Sequence, residues 1–255
     1  RLNAPSVGLE ASYNEYLSGT EGQILKQKIA GNLWMPIENE TTIIPKNGND
    51  IVTTIDINLQ DATETALKKA LDSSNAEFGC AIVMEVETGA IRAIANLGRA
   101  DDGSLWEIDN YAITHTSEPG STFKAASYLM LLDNNYIRIT DSVSNGGGVW
   151  NFYGRNMYDE HIHESKLSIR DAFARSSNIA IATLIDKNYK NKKNEFYRTL
   201  QKYGLTEISG IDLIGETKPD VSPPKSWSKL SLPWRATGYE QRFSPIQILT
   251  FYNTI

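Results

Sequence analysis

Cysteine is nearly missing from the 255 residues: Cys80 stands alone, so no disulfide can form within the chain. It lies in the apolar run Phe78-Gly79-Cys80-Ala81-Ile82-Val83-Met84 and reads as a buried, inert thiol, compatible with a reducing or an oxidising compartment. No run approaches the roughly 18 apolar residues that a membrane-spanning helix needs, and Arg1-Leu2-Asn3-Ala4-Pro5 has no secretory signal pattern. Basic tracts are absent too. The 25 Lys and Arg are interspersed among 31 Asp and Glu for a net charge of −6, which excludes nucleic acid as an expected partner. Histidine occurs three times; His161-Ile162-His163 and His115 offer no third ligand at a recognised spacing, so no metal or other cofactor is expected. The adjacent glycines Gly146-Gly147-Gly148 lack the spacing and helix start of a phosphate loop, which removes nucleotide binding. No fixed-period repeat is visible.

What is present is a chain 40% hydrophobic, enough to bury one core of ordinary size plus a smaller appendage. Residues 1 to about 50 are rich in Gly, Asn, Pro and Thr and read as an extended connecting segment, with only Glu21 to Ala30 helical in character. Ile51-Val52-Thr53-Thr54-Ile55 is a β-prone run, followed by Leu59, Ala62, Ala66, Leu67, Ala70 and Leu71 at amphipathic-helix spacing. Two apolar runs, Phe78 to Val86 and Ala90 to Ala95, flank Glu87-Thr88-Gly89 and predict an antiparallel hairpin. The segment from Gly98 to Asn110 is polar; helices are predicted over about 121–135, 168–175, 179–188 and 194–203. Asn145 to Gly154 reads as a long loop, and the Lys187 to Lys193 cluster as a solvated turn between helices. Ser244-Pro245 opens a last helix that continues into Ile255 without a stop signal, so truncation is expected.

Glu118-Pro119-Gly120-Ser121-Thr122-Phe123-Lys124 opens an apolar helical run, which places Ser121 in a first turn and Lys124 on the same face. A serine hydroxyl becomes a useful nucleophile only when a base takes its proton, and lysine can be that base only if its pKa falls well below the usual 10.4 or so. Three features favour that fall: the positive helix end, the apolar neighbours Phe123, Ala125 and Leu129, and no carboxylate one turn along.

The string Glu118 to Lys124 resembles the first active-site motif of penicillin-binding proteins and the related serine β-lactamases. The second motif, Ser-x-Asn, has its counterpart in Ser176-Ser177-Asn178 between two predicted helices, where the residues taken alone would read as a helix cap. Val7-Gly8-Leu9-Glu10 and Tyr16 to Gly22 look like the linker that follows the pedestal of class B members. Ile51 to Gln60 and Met84 to Ala95 are similar to the transpeptidase opening and first hairpin. Gly238-Tyr239-Glu240 with Ser244-Pro245-Ile246-Gln247 resembles the segment before a late helix. Within the family the chain is most like the septal, division-specific type.

The resemblance implies an α+β fold of the transpeptidase and serine β-lactamase kind, an antiparallel sheet flanked by helices with its later strands missing. Residues 1–50 would be linker and pedestal remnant, and 51–255 the first part of the transpeptidase domain. Ser121 would be the nucleophile, Lys124 its base and Ser176 the proton relay, with Asn178 orienting Lys124 and the substrate amide. Ser177 matches the variable position and carries no implied role. Implied partners are D-alanyl-D-alanine stem peptides of peptidoglycan, β-lactams, and proteins of the division envelope; the implied location is the periplasmic face of the inner membrane. One departure stands out: the third motif, Lys-[Thr/Ser]-Gly, does not occur, and Glu216-Thr217-Lys218-Pro219 only mimics it in the wrong order. The chain alone is therefore expected to be inactive or nearly so, since that strand would supply half the oxyanion hole. A serine β-lactamase, and a non-catalytic β-lactam sensor or division scaffold, are the rival readings.

Overall fold

The computed structural model describes residues 8–29, 31, 33–37, 42–159, 161–162 and 164–255; residues 1–7 with Val7, Ala30 and His163 lie outside them. The first stretch is more structured than a connecting segment. Helical turns α1 (Gly8–Ser12) and α2 (Asn14–Leu17) precede an antiparallel hairpin of β1 (Leu25–Lys28) and β2 (Trp34–Ile37). The helical expectation for 21–30 fails because residues 25–28 pair across the hairpin, and Thr20 and Gln23 bridge to Lys46 and Ile43. Cross-strand bonding overrides local propensity there.

Ile51 to Ile55 joins no ladder; it is tied to Ile91 and Arg92 by Thr54 Oγ1 donating to Ile91 O at 2.7 Å and Arg92 Nη1 donating to Thr54 O at 3.1 Å, followed by Asp56 N donating to Arg92 O at 2.9 Å. Asp56 then caps α3 (Ile57–Ser74), accepting from Asn58 N and Leu59 N, and Asn75 ends it in the left-handed region. The predicted hairpin forms as β3 (Phe78–Met84) and β4 (Ile91–Arg99), turned through Gly89 at φ +71°. A short β5 (Leu105–Trp106), inside the segment read as polar connection, adds to β4 and makes an antiparallel sheet of order β3-β4-β5. On one face α3 sets Leu67 and Leu71 against Ala95 and Leu97. Gly79 permits that approach, because a Cβ there would stand 3.0 Å from Leu71. The other face receives Ala112 and Ile113 of α4 (Tyr111–Thr114) and Ile246 of α10 (Pro245–Tyr252). Cys80 faces this layer half-buried, less enclosed than its sequence context implies, and burial pushes its thiol pKa up.

The remaining chain is mostly helical: α5 (Lys124–Asp133), α6 (Ile169–Ala174), α7 (Asn178–Tyr189), α8 (Lys193–Lys202) and α9 (Ser231–Ala236). These enclose the largest core, which includes Met130, Leu131, Ile181, Ile185, Phe196 and Leu200. The Asn145 to Gly154 loop is in part a hairpin. After β6 (Ser142–Ser144), β7 (Val149–Phe152) pairs with β8 (Arg155–Tyr158) around Tyr153 and Gly154, both at positive φ, while β9 (Lys166–Ser168) pairs with β6. The lysine cluster is a helix-to-helix turn as expected, yet not wholly solvated: Lys193 Nζ donates to Trp227 O and Ser228 O at 3.2 and 2.9 Å. Among the described residues no helix is long and apolar enough to cross a membrane.

Candidate active site

Gly120–Phe123 form a 3-10 turn that runs directly into α5. Ser121 thus heads the helix from a tighter turn than an α-helical one, and side chains three apart in such a turn lie over one another. Its side chain is exposed, while Phe123 beneath it is buried and stacked on Phe243 at 5.7 Å. The backbone N–H of Ser121 is among the first-turn amides that have no partner within a helix.

A late segment pins this turn. Gly120 N donates to Gly238 O at 3.2 Å, Glu240 N to Glu118 Oε1 at 2.9 Å, and Ser117 and Phe243 exchange two backbone bonds of 3.0 Å. Gly238 sits at φ +89°, and a Cβ there would stand 2.0 Å from Gly120 O, so glycine is needed for both backbone angle and space. From α10, Tyr252 donates its hydroxyl to Thr122 O at 2.7 Å. The strings around Gly238 and Ser244 therefore support the serine directly.

Lys124 is 2% exposed. Its Nζ donates to Ser176 O at 2.6 Å and lies 3.0 Å from Ser176 Oγ; no hydrogen bond joins it to Ser121. Burial lowers its pKa to about 8, against the opposing pull of Asp159. The lysine expected beside the serine thus reaches the Ser-Ser-Asn corner, more than fifty residues on in sequence.

That corner is the break between α6 and α7. Ser176 occupies the left-handed region at φ +55°, which turns its carbonyl and hydroxyl toward Lys124. Ser177 is fully buried and caps α7, its Oγ accepting from Ala180 N at 3.0 Å; the cap reading holds for Ser177 while its neighbours face outward. Asn178 Nδ2 donates to Tyr158 O at 3.3 Å, which leaves its carbonyl oxygen to accept. Sequence reasoning missed Asp159, 6% exposed, which accepts from Asn178 N at 2.7 Å and Ile179 N at 3.3 Å and lies 2.5 Å from Ser177 Oγ. No local pattern marks an aspartate whose partners come some twenty residues later. The Thr217-Lys218 mimic is structural: Thr217 Oγ1 donates to Thr114 O, and exposed Lys218 pairs with Glu207 at 3.3 Å. His115 packs edge-on against Phe78.

A helix-heading serine, a buried lysine and a Ser-Ser-Asn corner on an α+β scaffold define the penicillin-binding class of fold. The family described as the penicillin binding protein transpeptidase domain matches residues 79–255, and the chain belongs to it. The chain is 30% identical to the peptidoglycan D,D-transpeptidase FtsI of Buchnera aphidicola subsp. Schizaphis graminum, over 97% of its own length and 43% of that protein. With FtsI of Escherichia coli K12 it shares 25% over 97% of this chain and 42% of that one. A crystal structure of penicillin binding protein 3 from Mycobacterium tuberculosis, complexed with ampicillin, superposes with a TM-score of 0.77 over 98% of this chain and 52% of that one. At 22% identity it speaks for the fold alone. The chain spans less than half the length of the two FtsI relatives, and its resemblance is to class B, division-type members.

Proposed function

We propose that the protein to which this chain belongs is a serine-type D,D-transpeptidase that cross-links peptidoglycan stem peptides. The observation that carries the reading is Lys124, buried, lowered to a pKa of about 8 and held on Ser176 one turn from an exposed serine. In the forward step the Ser121 oxygen attacks the carbonyl carbon of the D-alanyl-D-alanine amide as its proton passes to neutral Lys124. The proton then crosses to Ser176 Oγ and on to the departing nitrogen, so the amide bond breaks, D-alanine leaves and an ester on Ser121 remains. An amine of a neighbouring stem peptide attacks that ester and regenerates the hydroxyl. Asn178, its side-chain nitrogen held on Tyr158 O, orients Lys124 and the substrate amide.

A β-lactam would acylate the same serine by opening its ring amide. Residues 51–255 would form the first part of the transpeptidase domain and 1–50 its linker and pedestal remnant. The enzyme would work in the cell envelope, outside the inner membrane and at the division septum, among division proteins. Without a Lys-[Thr/Ser]-Gly strand the chain alone holds one oxyanion donor, and losing such a donor costs about 100- to 1,000-fold in rate.

The test uses the full-length protein and a labelled penicillin. One adduct on the Ser121 peptide, absent in Ser121→Ala and formed faster as pH rises through about 8, is the expected result. A wild type that gains no adduct, or one that carries it elsewhere, overturns the assignment.

A further inference from the structure

We propose that Asp159 is a positioning residue for this reaction: it clamps the Ser176-Ser177-Asn178 corner onto the start of α7 and sets a fixed negative charge behind Lys124. The inference rests on the reading of Ser121 and Lys124 given above and adds a residue outside the Ser-x-x-Lys and Ser-x-Asn motifs.

Every described polar group bonded to the Asp159 side chain is a donor. Oδ1 receives Asn178 N at 2.7 Å and Ile179 N at 3.3 Å, two first-turn amides of α7 that have no partner within the helix. Oδ2 lies 2.5 Å from Ser177 Oγ, while that oxygen also stands 3.0 Å from Asn145 Oδ1. With one hydroxyl proton to give, Ser177 gives it to the carboxylate, a stronger acceptor than the amide oxygen. The carboxylate therefore ties three consecutive residues, 177 to 179, directly after Ser176, whose left-handed turn faces Lys124.

The loop that carries Asp159 is itself built to stay put. Asp159 N donates to Gly148 O at 3.1 Å, and fully buried Asn145 donates to Ile162 O at 3.4 Å. A Cβ on Gly148 would meet Ile162 O at 2.5 Å, so the glycine is what lets the two loop strands close. Among the described residues no Lys, Arg or His forms an ion pair with Asp159, although it is nearly buried. Its compensation comes from the helix end and from Lys124 at longer range.

Lys124 is faced by Ser176 from the corner, Asp159 from the loop after β8, and Tyr128 one turn along α5, whose buried hydroxyl has no hydrogen bond and is kept neutral by burial. Asp159 is the charged group acting on the lysine, and it works against the burial that would otherwise neutralise the amine further. It thus keeps more of the amine protonated near neutral pH, in exchange for a defined seat on Ser176.

The experiment follows acylation of the full-length protein by a chromogenic cephalosporin as a function of pH. Asp159→Asn keeps the shape and removes the charge, so the midpoint of the rising limb should move down by roughly one pH unit. Ser177→Ala keeps the charge and cuts one tie, so the plateau rate should fall roughly tenfold with the limb unmoved. Asp159→Asn with the wild-type pH profile, or Ser177→Ala at the wild-type rate, overturns the proposal. Should Asp159→Asn fail to fold, as a thermal melt would reveal, the Ser177→Ala arm still decides it. A wild type that is not acylated at all removes the parent reading, an outcome distinct from either.

Discussion

The helical side of the molecule and its sheet side are packed very differently. Around α5, α7 and α8 the core is deep, with Phe196, Ile181, Ile185 and Leu200 wholly removed from solvent. Over the sheet, α3 is 18 residues long yet buries only Leu67 and Leu71, and Ile57 and Leu59 stand exposed on the same helix. Every group assigned to chemistry belongs to the deep side. Catalytic groups must be held to within fractions of an ångström, and only a close-packed surround resists their movement. The sheet, with β3 paired along one edge, provides a wall for that body.

Truncating Phe196 should be the most damaging core change. It meets Tyr189 and Trp227 edge to face at 5.5 and 5.7 Å, and Phe196→Ala should cost about 3–5 kcal/mol in denaturant unfolding. A loss under about 1 kcal/mol would erase the distinction between the two sides.

Lys124 sharpens it in the opposite direction. Its folded pKa of about 8 lies below that of the unfolded chain, so between about 8 and the ordinary lysine value the unfolded state binds more protons and stability rises with pH. The burial penalty is present in full below about pH 8 and disappears above the unfolded value. Lys124→Met should therefore abolish acylation yet stabilise the protein at pH 7, by on the order of 2 kcal/mol, with the gain shrinking as pH is raised. Thermal melts from pH 7 to 10 would read this; a variant less stable than wild type at pH 7 would contradict it.

The smallest effects belong to α3. Leu71→Ala should cost about 2 kcal/mol, the low end for a buried leucine, and Leu59→Ala less than about 0.5 kcal/mol. Equal losses at the two positions, measured in the same urea series, would mean that α3 is covered along its whole length.

Much of this was legible because it is local. Periodicity carried α3 and α5 to α8, though not α9, and the Glu87-Thr88-Gly89 turn carried the β3–β4 hairpin. Ser121, Lys124, Ser176 and Asn178 were readable as two short strings, and the fold brings Lys124 and Ser176 into contact. What escaped was non-local. β1 looked helical and β2 looked like connecting chain because strand pairing has no signature in one strand, and β7–β8 hid in a glycine-rich stretch. Asp159 and Gly238 bear on the site only through partners remote in sequence, Ser177 and Gly120, and neither belongs to a string that names its role.

The seat of Gly238 under Gly120 has a temporal meaning. During synthesis Ser121 leaves the ribosome long before the residues that shape its turn, and α5 can form while the turn ahead of it is still unrestrained. The turn that carries Ser121 is finished only when residues 238–243 arrive and lock against 117–120. Any product that stops short of that segment would carry Ser121, Lys124, Ser176 and Asn178 without the contacts that pin the turn at Gly120.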